Sequence, residues 1–129
     1  MPASLLVTAA LFVVAGVLHF VIPRTYVAIM PSWLPSWLPS PLTLVYVSGV
    51  FEALGGVGLL LPATRLAAAI GLIVLLAAVF PANVEMLRQA QERDASALFI
   101  AACWIRLPLQ PLLIWWVWRV ARAGHDLSR

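Results

Sequence analysis

The chain has 129 residues, of which 64% are hydrophobic and 10% are charged, and its formal net charge is +3. A soluble domain has about 45–50% apolar and about 25% charged residues, so this composition excludes an ordinary soluble globule. It also excludes intrinsic disorder, because disordered chains have low hydrophobicity. All eight basic residues are arginines, spread along the chain without a basic cluster, which argues against nucleic-acid binding.

Four apolar segments are long enough to cross a bilayer, which takes about 20 residues of helix. They cover approximately residues 3–22, 42–61, 65–83 and 97–120. Strands are excluded, since an open sheet leaves its edge groups unsatisfied in lipid and a barrel requires alternating polarity. The predicted fold class is therefore all-α, a four-helix transmembrane bundle that forms one domain over residues 1–129.

Local signals mark where these helices begin and continue. Ser40 precedes the second segment and is a favourable N-cap. The third segment continues beyond the membrane as a polar helix, in which Arg88 and Glu92 have the spacing of an ion pair. Two residues, Asp94 and Ser96, are candidate caps of the fourth segment.

Four spans place both termini on the same side of the membrane. The side of the termini has Arg65, Arg119, Arg122 and Arg129, and the opposite side has Arg24, Arg88 and Arg93. Arginines near the spans favour the cytoplasmic side. The distribution predicts an inner-membrane protein with both termini in the cytoplasm.

A proline-rich loop joins the first two segments after Pro23. It contains a direct repeat, PSWL at residues 31–34 and again at residues 35–38. Prolines at this density prevent a regular helix, and the tryptophan and leucine side chains are too apolar for a solvated linker. Two interpretations remain open: the loop forms an aromatic belt at the interface, or Trp33 and Trp37 form a lid over a binding cavity.

Five polar residues in or beside the spans point to a site inside the bundle. An ionisable group in lipid costs several kcal/mol unless it is paired or faces water. At 1.5 Å per residue, Glu52 and Arg106 both lie about 14–15 Å below the same surface, which predicts an ion pair between the second and fourth segments. His19 and Asn83 lie nearer the same outer surface, and Gln110 lies one turn beyond Arg106 on the same face of its helix. The sequence predicts an outward-facing cavity with these five residues as ligands, or, alternatively, polar contacts that only fix helix order.

Glycines and prolines in the spans predict close packing and altered backbone bonding. Gly49 and Gly56 share the face of the second segment that carries its carboxylate, where small residues let another helix approach. Pro81 removes the hydrogen-bond donor for the Ala77 carbonyl, and two prolines in the fourth segment have the same effect near Arg106.

The sequence contains no recognisable catalytic or metal-binding constellation. Its single cysteine, Cys103, excludes an intrachain disulfide and a CxxC redox pair. His19 and His125 are far apart in the chain, and neither a nucleophile elbow nor a phosphate-binding loop is present. We therefore expect no catalytic residues, no metal site and no enzymatic activity of the chain on its own.

Four stretches carry a family resemblance: GVLHFVIPRTYVAIMPSWLP, SGVFEALGGVGLLLPATR, LLAAVFPANVEML and RLPLQPLLIWW. Together they cover most of the chain, which resembles the small bacterial membrane proteins of the DoxX-like family. The positions that match the family pattern are His19, Pro23, Glu52, Gly56, Pro81, Asn83, Arg106 and Gln110.

The resemblance implies a four-helix membrane bundle and a broad functional context. Some relatives are small subunits of thiosulfate:quinone oxidoreductases, and others associate with redox or stress-defence partners. The first hypothesis is a redox-linked accessory subunit that binds a small amphiphile, with a quinone as the candidate cofactor, through Arg106 and Gln110. The alternative is a non-enzymatic scaffold or assembly factor in which the Glu52–Arg106 pair is structural. The expected partners are the lipid bilayer and a membrane or redox protein, and a homo-oligomer remains open.

Overall fold

The computed structural model describes residues 2–28, 30 and 34–127. Within these residues the chain forms five helices and no strand: α1 (Ala3–Val21), α2 (Pro23–Ala28), α3 (Pro41–Leu60), α4 (Arg65–Glu92) and α5 (Ala97–Leu127). The four long helices have the length and apolar composition of membrane spans. The protein is therefore an all-α, multi-pass membrane bundle, which confirms the predicted fold class.

The short helix α2 is not predicted from the sequence. The chain leaves helical geometry at Ile22, with φ −128° and ψ 54°, and Pro23 then begins a new helix of six residues. Proline is favoured at the first helical position, because its fixed φ suits a helix and its missing N–H has no partner there in any case. Pro23 thus limits α1, because the residue before a proline disfavours helical geometry, and it is also the first residue of α2.

The predicted caps and the polar extension of α4 are present. The backbone N–H of Thr43 donates to Ser40 Oγ at 3.3 Å, and that of Phe99 donates to Ser96 Oγ at 3.2 Å. Ser96 rather than Asp94 is therefore the cap of α5. Helix α4 continues through its proline to Glu92, where an ion pair joins Glu92 to Arg88.

The four long helices are arranged as two antiparallel pairs. Helix α1 packs mainly against α3, α4 packs mainly against α5, and α3 also contacts α4, whereas α1 and α5 make a smaller contact. The α1–α3 contact depends on glycine: a Cβ atom at Gly16 would lie 2.6 Å from the carbonyl oxygen of Gly49, and one at Gly56 would lie 2.8 Å from that of Ala9. The close approach predicted on this face of α3 is confirmed.

A core of buried apolar side chains closes one end of the bundle. Its members come from all four long helices: Leu5, Ala9, Phe12, Leu59, Ala69, Leu72, Leu76, Val117, Val120 and Ala121. This end contains the start of α1 and the end of α5, and a Cβ atom at Gly124 would lie 3.0 Å from Leu5 Cδ2. The two ends of the described chain therefore lie on the same side of the bundle.

Arg65 lies in this closed end with only 2% of its surface exposed. Its Nε donates to the Leu59 carbonyl at 2.6 Å, and its Nη2 donates to the Leu60 carbonyl at 3.2 Å. Its Nη1 donates to the carbonyl of Gly124 at 2.8 Å. The last carbonyls of a helix lack intrahelical donors, so Arg65 caps α3 and links it to α5.

Candidate functional site

The half of the bundle beyond the core contains a cavity of about 450 Å³. Helices α1 and α3 line one side, α4 and α5 line the other, and α2 contributes Tyr26. Most of the wall is apolar, with residues such as Leu11, Val45, Leu75 and Val79. A cavity of this size, apolar with a few polar groups, is typical of sites for small molecules.

All five residues predicted from the sequence as ligands line this one cavity. They are His19 from α1, Glu52 from α3, Asn83 from α4, and Arg106 and Gln110 from α5. The tertiary structure thus brings together residues that are up to 91 positions apart in the chain, counting from His19 to Gln110. Their shared position meets the geometric requirement of the prediction, and their role in binding remains a prediction.

The predicted ion pair between Glu52 and Arg106 is wrong. Glu52 Oε2 lies 3.5 Å from His19 Nδ1, and the Nη1 of Arg106 lies 3.6 Å from Met86 Sδ. Within the described chain no ion pair joins Glu52 to Arg106. The cause is the order of the helices: α3 and α5 lie diagonally across the bundle, so residues at equal depth need not touch. The two charged groups line the same cavity from different sides.

His19 connects three elements around the carboxylate of Glu52. Its Nδ1 donates to the Ala15 carbonyl at 2.8 Å, so this nitrogen carries the hydrogen. Its ring stacks on the ring of Tyr26, with 4.0 Å between centroids and 16° between planes. Burial raises the pKa of the Tyr26 phenol, as does the charge of Glu52 more weakly, while Arg106 opposes the shift. Tyr26 is therefore a neutral hydroxyl at physiological pH.

Asn83 and Gln110 provide amides on the opposite side of the cavity. Asn83 is 5% exposed and makes no side-chain hydrogen bond within the described chain. No fully buried side-chain nitrogen or oxygen of the described residues lacks a partner, so the Asn83 amide keeps accessible surface. Because Asn83 lines the cavity, this amide can bond to a molecule there. Gln110 Nε2 donates to the Leu76 carbonyl at 3.0 Å, which leaves its Oε1 as an acceptor. The carbonyl that the sequence predicted to lack a backbone donor belongs to Ala77, the residue after Leu76.

Three polar residues of the wall were not selected from the sequence: Thr8, Tyr26 and Ser48. The hydroxyl of Thr8 already donates to the Ser4 carbonyl and accepts from Trp116 Nε1. Ser48 lines the cavity one helical turn before Glu52, and this i, i+4 spacing is a signal that could have identified it. Tyr26 carries no such signal, because its position depends on the unpredicted helix α2.

The structure does not place Trp37 at the cavity. Its side chain is 80% exposed and does not line the wall, whereas Tyr26 and Met30 do. Trp33 lies outside the described residues. This arrangement gives no support to a lid formed by Trp37, because none of residues 34–40 lines the cavity.

The fold and the site together define a multi-pass helical membrane protein with a partly polar cavity between its spans. Residues 8–121 match a family described as a domain of unknown function (DUF8561), and the chain belongs to this family. No curated protein and no solved structure matches the chain. The matched region includes all five predicted ligand residues, and the resemblance to DoxX-like proteins remains a prediction.

Proposed function

We propose that this protein binds a small amphipathic molecule inside the membrane as a redox-linked accessory subunit, with a quinone as the first candidate. The observation that carries the proposal is the meeting of five polar side chains from four helices at one mainly apolar cavity. Polar and charged groups in a membrane span are costly, and they are functional by default when they face a cavity. The DoxX-like resemblance adds the redox context.

The polar groups of the cavity suit a ligand whose polar head has a hydrogen-bonding group at each end. Among the described residues, Arg106 has a thioether as its only hydrogen-bond partner and the Asn83 side chain has none, so both can donate to a carbonyl or to an anionic group. On the other side, Glu52 and Tyr26 can accept from or donate to a hydroxyl. A quinone carries a carbonyl at each end of its ring, and its reduced form carries hydroxyls in their place.

Electrons would come from or go to a partner protein. The single Cys103 is buried between α4 and α5 and cannot form a dithiol couple within the chain. In this proposal the described residues bind and orient the head, and Glu52 lies where it can accept a proton from a hydroxyl. The redox step itself belongs to the ligand and the partner.

Titration of the purified protein with decylubiquinone tests the proposal. We expect Arg106→Gln to weaken binding about 10- to 100-fold, since a hydrogen bond from a charged donor contributes about 1.5–3 kcal/mol. Asn83→Leu is expected to act in the same direction. Arg119→Gln is the matched control, because Arg119 lies outside the cavity, 5.1 Å from the centroid of the Trp115 ring.

Equal affinity of folded Arg106→Gln, Asn83→Leu and wild-type protein would show that the quinone does not occupy this cavity. If the wild-type protein binds no quinone, the quinone assignment fails. Mass spectrometry of solvent extracts from gently purified protein would then identify any other amphiphile in the site.

The alternative role as a scaffold loses its main structural support. It took the Glu52–Arg106 pair as the contact that fixes helix order, and the two residues do not form that pair. A scaffold would predict unfolding when Glu52 is replaced by Gln. The cavity proposal predicts a folded Glu52→Gln variant with altered ligand binding.

A further inference from the structure

We infer that the ligand enters the cavity sideways from the bilayer, between α1 and α5, and that its single apolar tail lies in a groove on the surface of α5. This inference rests on the proposed function and names the ligand class. The molecule has a compact polar head and one long apolar tail.

The seam between α1 and α5 is the weakly packed side of the bundle. Each of these helices packs mainly against another partner. The contacts between them lie toward the closed end, where Trp116 Nε1 donates to Thr8 Oγ1 at 3.0 Å and Gly124 approaches Leu5. Toward the other end the charged side chain of Arg106 is exposed. The cavity is therefore least enclosed along this seam.

A groove of about 490 Å³ runs along α5 beside this seam. Four residues line both the groove and the cavity: Arg106, Gln110, Leu113 and Trp116. The two spaces are therefore neighbours that meet at these side chains of α5, and in our inference the ligand passes from one to the other here. Leu109 and Leu112 extend the groove away from the polar groups and toward the lipid-facing surface of the helix.

The different linings of the two neighbouring spaces assign the parts of the ligand to them. The cavity holds the polar side chains, so it suits the head, and the leucines of the groove suit a hydrocarbon tail. The groove from Leu109 to Trp116 is about 10 Å long at 1.5 Å per residue. A longer tail would continue into the lipid. Because lipid is as apolar as the groove, the groove orients the tail and contributes little hydrophobic free energy.

Two probes and two matched variants test the inference on the full chain in lipid nanodiscs. The probes are decylubiquinone and the same head without the tail, 2,3-dimethoxy-5-methyl-1,4-benzoquinone. Leu112→Trp fills the groove, and Leu112 is 55% exposed; Leu54→Trp is the control, since Leu54 is 61% exposed on α3 and lines neither space. We expect Leu112→Trp to weaken binding of the decyl probe about tenfold, because the indole would block the path by which the tail leaves the cavity while the head is bound.

Binding of the tailless probe should be unchanged in Leu112→Trp, and Leu54→Trp should change neither probe. Leu109→Trp repeats the test in case Leu112→Trp does not fold. Equal effects of these groove variants on both probes, or no effect on either, would overturn the inference and leave the proposed function in place. A wild-type protein that binds neither probe would overturn the quinone assignment itself.

Discussion

Arg65 combines a full positive charge with almost complete burial at the closed end of the bundle. A guanidinium has five donors in a fixed planar arrangement, and here three of its nitrogens donate to backbone carbonyls of α3 and α5. Its place at the start of α4 therefore connects three helices through one side chain. At the sequence level this residue is only one of the arginines that flank a span, because burial and backbone partners are not visible in local hydropathy.

Replacement of Arg65 is expected to destabilise the protein strongly. In Arg65→Met the carbonyls of Leu59, Leu60 and Gly124 lose a buried donor, which costs on the order of 3 kcal/mol. Arg65→Lys keeps the charge without the planar fork and should be intermediate. Thermal unfolding in mild detergent, followed by circular dichroism, measures the change. Arg24→Gln, which replaces an exposed arginine, is the control. Equal stability of Arg65→Met and this control would contradict the role of Arg65 in linking the helices.

At the scale of the elements, the contact of α1 with α3 depends on small residues. Gly56 lies against the backbone of α1, whereas Gly71 on α4 has no atom within 4 Å of where its Cβ would lie. The sequence predicted the first contact because Gly49 and Gly56 share a helical face. It did not predict α2 or its Tyr26. A proline after a span indicates the end of that helix, and nothing further in the sequence signalled that a new helix begins at the same proline.

The same substitution should have opposite effects at these two glycines. In Gly56→Ala the new Cβ would lie 2.8 Å from the Ala9 carbonyl oxygen, so α1 must move, at a cost of about 1–3 kcal/mol. Gly71→Ala meets nothing and should stabilise α4 by about 0.5–1 kcal/mol through helix propensity. Unfolding temperatures of the two purified variants test this, and shifts of the same sign would contradict the packing described here.

At the scale of the whole molecule, the bundle is asymmetric along its axis. One end is closed by the apolar core and Arg65, and the half beyond it contains the cavity. Near the closed end, Arg119 lies 5.1 Å from the centroid of the Trp115 ring and Arg122 lies 5.7 Å from that of Trp118. Such pairs of cations and aromatic rings are typical of a membrane–water interface.

We predict that the closed end faces the cytoplasm and that the cavity lies toward the outside of the cell. A fluorescent protein fused to the C-terminus should therefore fluoresce, and alkaline phosphatase fused there should be inactive. Fusions after residue 93, between α4 and α5, should show the reverse pattern. An active C-terminal phosphatase would show that the topology is the opposite one, with the cavity toward the cytoplasm.

The sequence by itself determined the number of spans, the cap at Ser40 and five of the polar residues that line the cavity. These are local properties: hydropathy selects the spans, a hydroxyl before a helix caps it, and a residue count gives depth along the helix axis. Depth correctly placed Glu52 and Arg106 at one cavity, but the ion pair that it predicted between them does not form.

Only the tertiary structure decided which of these residues touch. The order of helices around the bundle puts α3 and α5 on a diagonal, so Glu52 meets His19 from the neighbouring helix and Arg106 remains beside Met86. The same lateral order leaves the seam between α1 and α5 weakly packed. Depth along the axis follows from counting residues, whereas lateral order follows from side-chain packing among all four helices, and no single segment contains that information.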